Sequence, residues 1–240
     1  MKQYRKTIDE NVYVMSDVHN DFDNFKKMLR QIQFSDKDTL FILGDLFDKG
    51  RDNPKPVELY FEILKYDNIF CLRGNHDHWL AINLGDHQGE FRRMYSKSYF
   101  EFKKRLTEVD QIELVRWIED MPFQVELELG TERYLLSHAQ TAEEEQSDVE
   151  LHMFGQKDFE DFKAFLNNGV SETISVVGHT HTSSIRTYME EEQKFPYEVW
   201  KNEKGNVFVI DCANGNRSSK ADFGQRLACM RLNDRRCYYV

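Results

Sequence analysis

The sequence predicts an α/β fold, and three observations carry that prediction. Through the first eighty residues, short apolar runs alternate with amphipathic stretches in the order strand, helix, strand, helix, strand, and such alternation builds a parallel sheet. The strand-like runs end abruptly in Asp, Asn or His: Asp17 and His19, Asp45 and Asp48, Asn75 and His76, and later His138, His179 and His181. Sites in open parallel sheets gather outside the carboxyl ends of the strands. The second half of the chain carries further short apolar runs separated by Gly, Asn and Asp, which read as a second sheet with more antiparallel character.

Residues 12–15 are the first predicted strand, releasing Ser16, Asp17, Val18 and His19. If the backbone stays extended, Asp17 and His19 point to the same side, because strand side chains repeat every second position. The alternative for an isolated Asp-x-His is a turn with a helix cap. Residues 21–32 then space Phe22, Phe25, Met28, Leu29 and Ile32 on one helical face. The chain is organised around the next run, 40–43, which stops at Gly44 and is followed by Asp45 and Asp48, then Lys49 and Arg51. Carboxylates at the end of a buried strand are costly unless a positive charge meets them.

Pro54 and Pro56 open a second helix carrying Val57, Leu59, Tyr60, Ile63 and Leu64. Residues 68–72 make the third strand and end in Arg73-Gly74-Asn75-His76-Asp77. The stretch 79–120 is charged and aromatic, with helical spacing over 97–106 and 110–119; it reads as an insertion covering one side of the site. Its Arg92 and Arg93 are candidate substrate contacts, against the plainer reading of a solvated face. Residues 123–129 and 133–136 predict a hairpin that delivers Ser137-His138-Ala139. A helix over 156–167 and a strand over 173–177 lead to Gly178-His179-Thr180-His181, and strands are expected near 197–200, 206–210, 227–232 and 237–240.

At 240 residues, with no linker-like composition, one domain spanning 1–240 is expected. The formal charge of −10 argues against a nucleic-acid surface. Cys71, Cys212, Cys229 and Cys237 show no paired spacing, which suits free thiols in a reducing, cytoplasmic setting. The N-terminus lacks an apolar signal core, and no apolar run approaches a membrane span. Nothing in the pattern bears on oligomeric state.

The polar clusters suit a pair of divalent ions. Two such ions about 3.5–4 Å apart need a bridging ligand, and a carboxylate has one oxygen for each. Asp45 is the candidate bridge, with Asp17, His19 and His181 for one ion and Asn75, His138 and His179 for the other. His78, His87 and His152 fit no motif and read as exposed or core-capping histidines. Asp77 reads as an acceptor supporting its neighbours.

In order, Asp17-Val-His19, Gly44-Asp-Leu-Phe-Asp-Lys-Gly50, Gly74-Asn-His-Asp77, His138-Ala139 and Gly178-His-Thr-His181 resemble the motifs of calcineurin-like metallophosphoesterases, most closely the bacterial branch of the phosphoprotein phosphatases. The resemblance implies a four-layer α-β-β-α sandwich of two mixed sheets flanked by helices. It implies the same ligand sets, and attack on phosphorus by a metal-bridging hydroxide. It also implies that His76, oriented by Asp48, protonates the leaving oxygen, and that Arg73 is the cation nearest the phosphate. Oxygen and imidazole ligands without thiolate suit manganese first, with iron or zinc as alternatives. The chain departs from the pattern in three places: Lys49 stands where arginine is usual, with Arg51 a candidate to compensate; Asn20 follows His19 in place of a small residue; and Gln140 follows His138-Ala139. Keeping both His179 and His181 is a habit of the wider family, phosphodiesterases included. The leading expectation is therefore a serine/threonine-protein phosphatase-like phosphomonoesterase acting on a phosphorylated protein or a small phosphate ester. A bis-nucleoside polyphosphate hydrolase or phosphodiesterase is the alternative, and an inert scaffold of the same fold is the non-enzyme reading.

Overall fold

Both faces of the central strands are apolar, so each sheet has to be covered twice. The computed structural model describes residues 1–50, 54–85, 96–144, 149–215 and 224–240. One sheet is built on three parallel strands, β2 (Val12–Met15), β3 (Thr39–Ile42) and β4 (Ile69–Cys71), and is extended on the β2 edge by antiparallel β10 (Ala228–Arg231) and β11 (Arg236–Tyr239). The other runs β1 (Lys2–Lys6), β5 (Gln124–Leu129), β6 (Glu132–Ser137), β7 (Ile174–Val177), β9 (Val207–Val209) and β8 (Trp200–Lys201), with β6, β7 and β9 parallel. Both sheets are mixed.

Strand alternation sorts the side chains into layers. Val12 and Val14 face the opposing sheet with Phe41 and Leu43, against Val125, Leu127, Tyr134, Leu136, Val176 and Phe208. Tyr13, Met15, Leu40 and Ile42 point the other way, into α1 (Phe22–Gln31), α2 (Pro56–Ile63), α3 (Asn75–Leu84), α4 (Lys97–Arg105) and α5 (Glu108–Glu119). On the far side, Val177, Val207 and Val209 meet Phe165 and Leu166 of α7 (Phe159–Asn168) and Ile185 of α8 (Thr182–Tyr188). The layers are thus helix, sheet, sheet, helix. Each buried Val, Leu, Ile or Phe contributes about 1.5–3 kcal/mol. Phe41, fully buried between the sheets and stacked on Phe70 at 5.5 Å, is a position where truncation to alanine would cost about 3–5 kcal/mol.

Two expectations are corrected, the sheet of the final strands and the helix over 156–167, and two further features carried no signal in the sequence. The final strands β10 and β11 do not join a separate second-half sheet; β10 pairs with β2, so the chain returns to the sheet it began. Residues Lys2–Lys6 form an edge strand on β5 that hydrophobic periodicity cannot signal, because only Tyr4 packs inward, against Phe41 and Phe70, amid charged neighbours. The helix after β4 starts at Asn75 itself. The helix expected over 156–167 is Phe159–Asn168, preceded by a separate α6 (Val149–Phe154). Among the described residues no helix is long and apolar enough to cross a membrane, and the four cysteines are free.

Candidate active site

The polar clusters lie where β2, β3, β4, β6, β7 and β9 end, so the two sheets deliver their carboxyl ends to one cleft. Extended backbone does not continue past β2, as the same-side expectation for Asp17 and His19 required. Asp17, His19 and Asn20 have φ of 56°, 49° and 63°, and Asp45, Asp48, Lys49 and His179 are also left-handed, at 52°, 62°, 46° and 63°. Left-handed non-glycine residues cost about 1–3 kcal/mol each and persist where their surroundings over-determine them. Here the loops brace one another: the Asp17, His19 and Asn20 amides donate to the Gly44, Asp45 and Leu46 carbonyls at 3.1, 3.0 and 2.8 Å. Gly44, at φ 95°, lies against Gly74, and a side chain on it would meet the Gly74 backbone. That close approach brings the ends of β3 and β4 together.

Two compact groups of donor atoms result, Asp17, His19 and Asp45 on one side and Asp45, His138 and His179 on the other, with Asp45 common to both. The Asn75 Oδ1 lies 3.1 Å from His138 Nε2, as does His179 Nδ1, which adds Asn75 to the second group. His181 sits at the edge of the first, its Nε2 3.7 Å from Asp211 Oδ2. Its sequence neighbour Thr182 opens α8.

The donor set fits divalent ions. Asp45 is 1% exposed, and its Oδ2 has no hydrogen-bond partner, an arrangement that is costly without a cation. His19 Nδ1 contacts the Phe47 carbonyl at 3.1 Å and His138 Nδ1 the Leu43 carbonyl at 2.8 Å. A carbonyl only accepts, so each Nδ1 carries its proton and each Nε2 is turned inward, the arrangement that orients metal-binding histidines. Burial opposes a charge on His19, but its hydrogen bond to Asp17 and the charges of Asp45 and Asp17 outweigh this and push it up to about 9. Burial likewise works against the Asp17 carboxylate, yet the His19 hydrogen bond and the His138 charge hold its pKa well below the usual range. His179 is pushed down to about 4 by burial and by His138.

The other sequence-predicted residues divide. His76 Nδ1 lies 3.6 Å from Asp48 Oδ2, both near the ligands, and the His76 amide donates to Asp45 Oδ1 at 3.0 Å. Lys49 is exposed, and its charge works against protonation of His19, His179 and His181, which puts it within electrostatic reach of the cluster. Arg73, expected at the phosphate, is turned elsewhere: its guanidinium donates to the Glu119 and Met121 carbonyls at the end of the insertion and covers the Phe123 ring at 4.6 Å. Arg51, Arg92, Arg93 and His87 lie outside the described residues. His152 is a buried structural histidine, its Nδ1 3.0 Å from the Gln140 carbonyl, while the Gln140 side chain accepts from the Gln156 amide at 3.0 Å.

Several supporting residues were not legible in advance. Asp77 accepts from the amides of Asp45, Leu46 and Gly74 at 2.8, 3.0 and 3.0 Å, and burial beside Asp45 pushes it up to about 7. Its supporting role was expected; its grip on the Asp45 loop was not. Ser98 of α4 is fully buried, accepts from the Asp48 amide at 2.9 Å and pairs with the Asn20 side chain at 2.9 Å, so α4 braces the loops after both β2 and β3. Asp211, following β9, is buried beside His181, and a lone aspartate ending a short strand gives no signal of that. Trp79 and Phe154 close one side of the cluster, with centroids 5.0 Å from His76 and 6.1 Å from His179.

The same architecture recurs in known proteins. A putative diadenosine tetraphosphatase superposes over 100% of this chain and 97% of its own with a TM-score of 0.65 at 14% identity. A protein serine/threonine phosphatase from Saccharomyces cerevisiae, with similarity to human phosphatase PP5, does so over 100% and 82% with a TM-score of 0.57 at 15% identity. At those identities the likeness is one of fold. In sequence, the symmetrical bis(5'-nucleosyl)-tetraphosphatase of Buchnera aphidicola subsp. Acyrthosiphon pisum (strain 5A) is 33% identical over 131 residues, 54% of this chain and 44% of that protein. The enzyme of the same name from Psychromonas ingrahamii is 35% identical over 113 residues, 46% and 37% of the two chains. This chain therefore matches less than half the length of these relatives. The family model for calcineurin-like phosphoesterases matches residues 11–232, from the first site-bearing strand to the end of β10. With the match running along that whole span, the chain belongs to the calcineurin-like phosphoesterase family.

Proposed function

We propose that the protein is a dinuclear metal-dependent hydrolase of nucleoside polyphosphates, with dinucleoside tetraphosphates as the substrate class. The observation that carries the chemistry is His76, tethered through its amide to the shared Asp45 and facing Asp48 at 3.6 Å, with its buried Nδ1 free of any hydrogen bond. The named activity of the sequence relatives supports the substrate class over the phosphoprotein reading.

Asp17, His19 and His181 would hold one ion, Asn75, His138 and His179 the other, and Asp45 both. When bound, the ions supply a water of lowered pKa and offset the charge on phosphoryl oxygens. The chain's own residues do the remainder. Asp48 accepts the Nδ1 proton of His76, so that the imidazolium directs its Nε2 proton at the leaving oxygen and becomes neutral as the P–O bond breaks; such contacts are commonly long without substrate and tighten with it. Lys49 supplies the protein cation for the phosphate, as a single point charge without the two-point grip of arginine. Arg73 positions the insertion against Phe123. Manganese is the expected ion, and the four thiols without disulfides suit a cytoplasmic setting.

A second reading, hydrolysis of phosphoserine or phosphothreonine, is supported by the Arg-Gly-Asn-His and Gly-Asp-x-x-Asp motifs. The test is manganese-dependent turnover of diadenosine tetraphosphate, a phosphoserine peptide and a simple aryl phosphate. A kcat/KM for the dinucleotide at least tenfold above that for the peptide supports the proposal. The reverse ranking transfers the assignment to the phosphoprotein class, and no turnover of any substrate would leave an inert scaffold.

A further inference from the structure

We propose that Trp79 and Phe154 form a stacking face for the nucleobase of the substrate, beside the half of the centre that contains His76 and His179. The inference rests on the nucleotide reading above and specifies where the base goes.

The two rings come from opposite sides of the cleft. Trp79 is on α3, which follows β4 of one sheet; Phe154 ends α6, which follows β6 of the other. Their centroids are 5.7 Å apart with planes inclined at 40°, so they touch without stacking flat on each other. Each meets an imidazole of the centre edge-on, Trp79 against His76 at 74° and Phe154 against His179 at 87°. Phe154 is 37% exposed and Trp79 is only half-buried, so part of each ring is open beside the cluster. Large aromatic surface left open next to a charged, phosphate-binding cluster suits a ligand with an anionic end and a flat apolar end. Nucleotides have that shape, and aromatic side chains hold any base through its π-face without reading its edge. The site would therefore favour substrates with a base over those without one, and discriminate little among bases.

The test compares diadenosine tetraphosphate with inorganic tetraphosphate on the manganese-loaded protein, in wild type, Trp79→Leu and Phe154→Leu. Loss of a base stack is worth about 5- to 150-fold, so the ratio of kcat/KM for the base-carrying to the base-free substrate should fall about tenfold in each variant. Phe154 is exposed, and its variant reads the effect should Trp79→Leu fail to fold. Separately, AMP should quench tryptophan fluorescence in the wild type and not in Trp79→Phe, whereas ribose 5-phosphate should quench neither; Phe154→Leu should weaken the AMP affinity about tenfold. An unchanged substrate ratio with no AMP quenching overturns the stacking face and leaves the hydrolase reading intact. Quenching by AMP without turnover of either substrate would retain the base site and sink the proposed chemistry. A variant ratio that falls equally for an aryl phosphate, with no AMP quenching, would assign the face to a tyrosine-like ring and overturn the nucleobase.

Discussion

Two histidines, one in each half of the candidate centre, reach opposite proton states. His19 lies between carboxylates, its Nε2 3.5 Å from Asp17 Oδ1 and 3.7 Å from Asp45 Oδ2, and is pushed up to about 9. His179 lies against His138, has the neutral Asn75 rather than a second aspartate in its group, and is pushed down to about 4. Both are largely buried, and burial disfavours the imidazolium in both. The charged neighbours decide the outcome. In the metal-free protein at neutral pH a proton on His19 stands in for a cation in the first half, while His179 in the second presents an unprotonated nitrogen.

The change that strikes both halves should have the largest effect. Asp45→Asn removes the shared carboxylate, and kcat/KM with manganese should fall about 10⁴-fold, the equivalent of several kcal/mol of lost transition-state stabilisation. Metal analysis of the purified variant should find fewer than two ions per chain, and full occupancy would refute the shared role. His76→Ala leaves both halves intact. It should cost about 10²- to 10³-fold in kcat, less for a leaving group that departs without a proton, and Asp48→Asn should shift the alkaline limb of the pH profile, where the acid loses its proton, in the same experiment. Equal losses on good and poor leaving groups would remove His76 from the acid role.

The comparison itself is sharpened by pH. An ion entering the first half must displace the His19 proton, so one of two manganese isotherms should tighten by up to about tenfold per pH unit between about 6.5 and 9. The second isotherm has no such dependence on His179, which is already neutral above about 4. Two isotherms moving in parallel would break the asymmetry. The same shift predicts stability. The folded pKa of His19 lies above the roughly 6.5 of an unfolded imidazole, so its contribution is full below that pH and is lost as pH rises through about 9. The melting temperature of the metal-free protein should decline over that window, and the decline should flatten in His19→Gln. The smallest effect is expected at Ser98→Ala, which leaves the buried Asp48 amide without its acceptor and should cost about 1–3 kcal/mol in denaturant unfolding.

Much of the candidate centre could be read in the chain because its candidate ligands sit at fixed places relative to strand ends, and strand ends are local. Leu40 to Leu43 followed by Gly44 and Asp45 needs no partner to be recognised, nor does Asn75, separated only by Arg73 and Gly74 from the apolar run that ends at Leu72. The membership of β10 in the first sheet could not be read, since pairing of Met230 with Val14 is a choice among partners more than two hundred residues apart. Nor could the direction of Arg73, for its guanidinium is claimed by carbonyls of Glu119 and Met121 that become available only when α5 ends beside it.

The sequence by itself determined the alternation of strands and helices, the family, and the candidates for metal binding, because periodicity and motif spacing are properties of neighbouring positions. Only the tertiary structure decided that His19 holds a proton and His179 does not, that Ser98 of the insertion braces the Asp48 loop, and that Trp79 meets Phe154 at the edge of the site. Those outcomes depend on burial and on charges brought together across the two sheets, and distance through space is not written in the order of the chain.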